Sequence, residues 1–140
     1  MEIVTEHLSV STKGNSDIID ITGQVALLLA KHKFKSGNVT VFVSGSTAAI
    51  TTTEYEPGLI KDIPQAMEKL APEGVRYHHD DTWHDGNGHS HVRSAVMGPS
   101  LTVPFSKGEL LLGTWQQIVL IDFDNRPRQR EVIVQFIGIQ

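Results

Sequence analysis

The chain has no cysteine, which removes disulfides, thiolate metal sites and thiol nucleophiles together. Any metal held here must be bound by His, Asp, Glu or backbone oxygen. It has no basic excess either. Twelve Lys and Arg face sixteen Asp and Glu, a formal charge of −4, so the cationic footprint of a nucleic-acid binder is missing. A local cationic pocket for a phosphorylated small molecule remains open. Long hydrophobic runs are absent too. The longest, "VALLLA", is six residues, whereas a membrane span needs about 18. The first residues, "MEIVTEHLSVST", lack the basic start of a secretory signal, so a cytoplasmic protein with no membrane partner is expected.

No repeat or composition break divides the sequence, so residues 1–140 are expected to form one domain. Glu2–Thr12 is β-branched and strand-like, and Gly14-Asn15 closes it. Between Asp20 and Phe34, apolar residues recur at helical spacing. "NVTVFVSG" and "AAITTTEYE" are strands. From Pro57 a helical period returns, with a kink or restart expected at Pro64 and Asp62 as its cap. "SHVRSAVMGP" has the form of a short helix capped by Ser90 and stopped at Gly98-Pro99. The remainder is strand-rich: "SLTVPF", then "ELLLGTWQQIVLIDFD", then "RQREVIVQFIGI". Ile118–Ile121 and Val132–Val134 are apolar on both parities, which asks for cover on both faces. The expected class is α+β, a mainly antiparallel, jelly-roll-like β-sandwich with two or three helices.

Five of the seven histidines fall within fourteen consecutive positions, His78 to His91, in "YHHDDTWHDGNGHSHVR". Their ring nitrogens, with Asp80, Asp81 and Asp85 as ligands or orienting groups, form a donor set for a divalent metal such as zinc. His89 and His91 share a face if the chain is extended, roughly 6.6 Å apart. In a helix the same spacing splays them by about 200°. The metal reading takes His79, His89 and His91 as ligands, with solvent in the open position. The bland reading is a solvated loop whose His–Asp pairs contribute little. A cupin site is not matched, because Ser94, Ala95 and Val96 stand where its Glu belongs.

Other residues offer chemistry. The turn Ser44–Thr47 carries hydroxyls and amides that could hold an oxyanion, or is a plain connection. Glu54 is a base, a metal carboxylate or a surface acid. Arg126, Arg128 and Arg130 alternate, so in an extended chain they share one face. They either clamp a phosphate or protect a strand edge by charge. Trp115 is expected in the core or at an interface. No G-x-S-x-G elbow supports a serine hydrolase.

Several stretches resemble one known family. "GSTAAITTTEYEPGLIKDI", "YHHD", "GHSHVRSAVMGPSLTVPFSKGELLLGTWQQIVLIDFD" and "RPRQREVIVQFIG" are similar to the YjbQ family of small bacterial and archaeal proteins. Some members are described as secondary thiamine-phosphate synthases. The resemblance implies a sandwich-like homotrimer with sites near subunit boundaries, a metal site and an anion pocket. It places the family's His-Asp pair on His79 and Asp80, its later histidine on His91 and its acid on Glu54. The implied reaction joins a pyrimidine pyrophosphate to a thiazole phosphate. His79 and His91 would be metal ligands or acid–base groups, Asp80 would orient His79, and Arg93, Arg126 or Arg128 would receive phosphate. Two departures stand out. Many relatives have His-Thr-Ser-Ala where this chain has Gly45-Ser46-Thr47-Ala48, and His89 replaces a proline found in some.

Overall fold

A computed structural model describes all 140 residues. In chain order the elements are β1 (Glu2–Thr12), β2 (Asp17–Asp20), α1 (Thr22–Lys31), β3 (Ser36–Ser44), β4 (Ala48–Thr53) and α2 (Pro57–Leu70). They continue with α3 (Asp80–Trp83), α4 (Gly88–Met97), β5 (Ser100–Ser106), β6 (Glu109–Leu110), β7 (Gln117–Asp122) and β8 (Arg128–Ile139). The strands form two antiparallel sheets, one ordered β1-β8-β3-β5-β6 and the other β2-β7-β4. This is the expected α+β sandwich. It has four helices because the histidine stretch adds one of its own.

The layers follow from which side chains are apolar. Val39, Val41 and Val43 of β3 point inward beside Val132, Val134 and Phe136 of β8, and all six are essentially inaccessible. They meet Ile50, Ile118 and Leu120 of the small sheet, and Val25 and Leu29 of α1 close the same cluster. Behind the small sheet lies a second cluster. Ala49, Val119, Ile121 and Phe123 pack there against Ile63 and Met67 of α2 and Met97 of α4. Hence β7 is buried on both parities, as its unbroken apolar run requires. β8 is not: its burial alternates, and Ile133 faces the outer side of the large sheet. One intervening β-branched residue does not make a strand two-sided.

Other local expectations need correction. Glu56, not Asp62, caps α2, accepting from the Gly58 and Leu59 amides at 2.9 and 2.5 Å. Pro64 lies inside α2 without ending it. That helix has no fully buried residue, so solvent can satisfy the carbonyl that proline leaves free. The long "ELLLGTWQQIVLIDFD" run splits into β6 and β7 around a turn. Trp115 sits in that turn, 72% exposed, rather than in the core.

Candidate functional site

Four pieces of chain converge at one end of the small sheet around a cavity of about 350 Å³. The β3–β4 turn brings Gly45, Ser46 and Thr47, and the start of β8 brings Arg128 and Arg130. The segment before and through α3 brings His79 and Trp83. The approach to α4 and its first turn bring Asp85, Asn87 and His91.

The floor is a buried ionic grid. Asp122 ends β7 and Asp124 follows two residues later, and both are fully inaccessible. Arg130 donates from Nε and Nη2 to the two oxygens of Asp122 at 2.7 and 2.8 Å. Its Nη2 also donates to Thr47 Oγ1 at 2.6 Å. Arg128 closes on Asp124 Oδ2 with Nε at 2.8 Å and Nη2 at 2.7 Å. The Thr47 hydroxyl in turn donates to Asp124 Oδ2. Burial alone would raise the Asp124 pKa. Hydrogen bonds from the Asn125 amide, Arg128 and Asn87 overcome this and hold it at about 2. Two carboxylates thus match two guanidiniums. In neither arginine does Nη1 hydrogen-bond within the chain, which leaves each a donor for a ligand. Gly45 makes room for one of them: at φ +148°, a Cβ there would stand 2.8 Å from Arg130 Nη1.

Above the floor the rings of His79 and His91 lie with centroids 4.2 Å apart. Two features bring them together. α4 begins at Gly88, a turn's length earlier than a Ser90 cap would allow, so His91 is helical and faces the cavity. Gly88 also lets Tyr77 lie directly on the helix, since a Cβ at 88 would meet Tyr77 Cβ at 2.4 Å. That contact seats the α2-to-α3 segment and with it His79. Burial is the main cause lowering the His91 pKa from 6.5, and the charge of His79 adds to it. His91 is therefore the neutral, proton-accepting ring near pH 7.

The expected metal set of His79, His89 and His91 is not assembled. α4 turns His89 about 200° from His91. It is buried against Tyr77, ring centroids 6.4 Å apart, and near Arg93, and burial followed by that cation lowers its pKa. No three His, Asp or Glu side chains converge anywhere in the chain, and two imidazoles fall short of the three protein ligands a catalytic zinc takes. His79 Nε2, Asp80 Oδ1 and Asn87 Oδ1 are buried without partners, so the polar lining is incompletely satisfied. Even so, a single chain does not present a resident-metal site. Asp80 makes no hydrogen bond to His79, so the expected orienting contact is also missing.

Other expected site residues are elsewhere. The buried Arg93 ties α4 to α2 and to the β1–β2 turn, donating to the Ala71 carbonyl at 3.0 Å, to Glu68 at 2.7 Å and to the Ser16 hydroxyl at 3.4 Å, and it does not line the histidine cavity. Arg126 is exposed in the turn before β8 and lines no cavity, whereas Arg128 does. Glu54 is exposed beyond the end of β4 and borders a different cavity of about 360 Å³, with Asp20, Tyr55, Glu56 and Trp115. Asp122, Asp124 and Asn87 are the residues the expected site set omitted, whereas Arg130 was among the three alternating arginines. Their signal was a complementary pair of spacings, Asp-x-Asp and Arg-x-Arg, on either side of one turn.

Comparison with known proteins points one way. A family model described as UPF0047 protein YjbQ-like matches residues 6–139. A UPF0047 protein of Archaeoglobus fulgidus is 41% identical over 92% of this chain and 98% of its own. One from Mycobacterium tuberculosis is 35% identical over 95% and 97%. Among solved structures, a YbjQ-like protein of unknown function from Sulfolobus solfataricus superposes with a TM-score of 0.93 at 31% identity, covering 98% of both chains. A hypothetical protein from Aeropyrum pernix gives 0.90 at 33% identity, covering 99% of both. No helix is long and apolar enough to cross a membrane.

Proposed function

The chain belongs to the YjbQ-like UPF0047 family, and from that membership and the cavity we propose an enzyme acting on a small phosphorylated substrate. The observation that carries this reading is the meeting of His79 and His91, 4.2 Å apart, over a floor that offers Arg128 and Arg130. Free Nη1 donors receive phosphate or pyrophosphate oxygens. The neutral His91 takes or shares a proton at the reacting group, and His79 beside it is the second acid–base ring.

Thiamine-phosphate synthesis is the named candidate. In it the bond between the pyrimidine methylene and the pyrophosphate oxygen breaks, the pyrophosphate leaves with the electron pair, and the thiazole nitrogen forms the new C–N bond. Arg128 and Arg130 would take up the charge that develops on the leaving group. No step is assigned to a metal, since one chain supplies only two imidazoles to it. The protein would work in the cytoplasm as a homotrimer. Ile3, Phe42 and Ile137, exposed on the outer side of the large sheet, provide apolar surface for assembly. Light scattering coupled to size exclusion checks the mass.

The test of function incubates the protein with the two thiamine precursors. Product that disappears in His79→Ala and His91→Ala supports the enzyme. No product, alongside phosphate binding that Arg128→Ala abolishes, converts the assignment to a binding protein.

A further inference from the structure

Trp83 is the only hydrophobic residue among the ten that line the histidine cavity, and it is 69% exposed. Tryptophan is usually well buried, because its ring carries the largest apolar surface of any side chain. Here it ends a four-residue helix, α3, whose side chains are not buried in the core. Core packing therefore does not explain its position. Apart from Gly45, what the cavity offers beside it is polar: two arginines, two histidines, two hydroxyls, an amide and the Asp85 carboxylate. A ligand that filled this space with phosphate alone would use the arginines and leave the indole uncovered.

We propose that Trp83 is a stacking platform that makes the site selective for phosphates carrying a planar ring. The ligand's anion rests on the Nη1 donors of Arg128 and Arg130, and its ring lies against the indole. The inference rests on the anion floor assigned above and adds the residue that selects the ring of an aromatic or heteroaromatic monophosphate or pyrophosphate. The cavity, about 350 Å³, is in the range that small ligands occupy. Aromatic stacking adds roughly two- to tenfold in affinity beyond the area buried. That is the margin by which a ring should win over a chain of similar size.

The experiment uses the full chain carrying Trp115→Phe. The sequence has two tryptophans, so this variant leaves Trp83 as the sole indole reporter. Trp115 borders the other cavity and takes no part in the proposal. Phenyl phosphate, n-propyl phosphate and inorganic phosphate are titrated by Trp83 fluorescence and by calorimetry. Phenyl phosphate is expected to alter the emission and to bind about three- to tenfold tighter than propyl phosphate. In the wild-type background, Trp83→Ala should erase that preference while leaving inorganic phosphate binding unchanged, and Trp83→Phe should restore part of it. Equal affinity for ring and chain phosphates overturns the proposal alone. So does an equal loss for all three ligands in Trp83→Ala. An indole already shielded from acrylamide without ligand overturns it as well, and points to a second copy covering Trp83. If none of the three phosphates binds, or binding survives Arg128→Ala, the anion floor itself falls, and the stacking inference with it.

Discussion

The cavity has a floor and a wall built on opposite terms. The floor consists of Thr47, Asp122, Asp124 and Arg130, all buried and tied together by ionic hydrogen bonds where the end of β7, the start of β8 and the β3–β4 turn meet, with the half-buried Arg128 at its edge. The wall, residues 77–86, contributes no fully buried residue and one helix of four residues. The lesson is a division of labour. The floor is set by folding and holds charge in place before any ligand arrives. The wall carries the acid–base ring of His79 and the exposed indole, and its position depends on Tyr77 lying against Gly88.

Breaking the floor should have the largest effect. Arg130→Ala leaves Asp122 buried without its guanidinium, at a cost of about 3–5 kcal/mol in chemical denaturation. A loss under about 1 kcal/mol would mean the grid is not the structural anchor described. On the chemical side, His79→Ala and His91→Ala should each lower turnover of the phosphorylated substrate by about 10²–10⁴-fold. Both should unfold within about 1 kcal/mol of the parent, which separates a role in the reaction from one in stability.

Acid titration sharpens the contrast further. Asp124 has a folded pKa of about 2 against an ordinary 3.8. Its contribution is therefore present above pH 4 and is lost as pH falls from about 4 towards 2, amounting to about 2 kcal/mol. Asp124→Asn should flatten that part of the stability profile. His89 and His91 act in the same direction at higher pH. Both have lowered pKa values, so the unfolded chain takes up protons first, and stability should decline as pH drops below about 6.5. Gly88→Ala forces Tyr77 away from α4 and should cost about 1–3 kcal/mol while also lowering turnover, because His79 moves with Tyr77. The smallest effect belongs to the wall itself. Trp83→Ala should change stability by less than about 0.5 kcal/mol, measured by the same denaturation.

What the sequence made legible follows the same division. β1 and β3 declared themselves as β-branched strands and α1 by its period, because these patterns report burial directly, whereas the apolar run in β8 showed a strand but not its one-sided burial. The meeting of His79 and His91 was expected, since the glycines between them allow the chain to turn back. The partnership of His89 with His91 failed for a local reason. Counting two residues apart assumes an extended backbone, whereas Asn87 and Gly88 already start a helix there. Arg93 read as a free cation because Glu68 and the Ala71 carbonyl, its partners, are more than twenty residues away in the chain. Glu54 read as part of the histidine site through family resemblance, and the end of β4 carries it to the other cavity. The floor was hardest to see. Asp122 and Asp124 sit at the end of an apolar strand, and only the convergence of the end of β7 and the start of β8, from different sheets, on the β3–β4 turn shows what they neutralise.

The balance of that floor governs how a ligand arrives. Two carboxylates and two guanidiniums sum to no formal charge, and the chain as a whole carries −4. An approaching phosphate therefore feels no distant pull and is recognised only on contact, where individual N–H groups meet individual oxygens. Capture should proceed at an ordinary diffusive rate that added salt does not slow, and discrimination should reside almost wholly in how long the ligand stays.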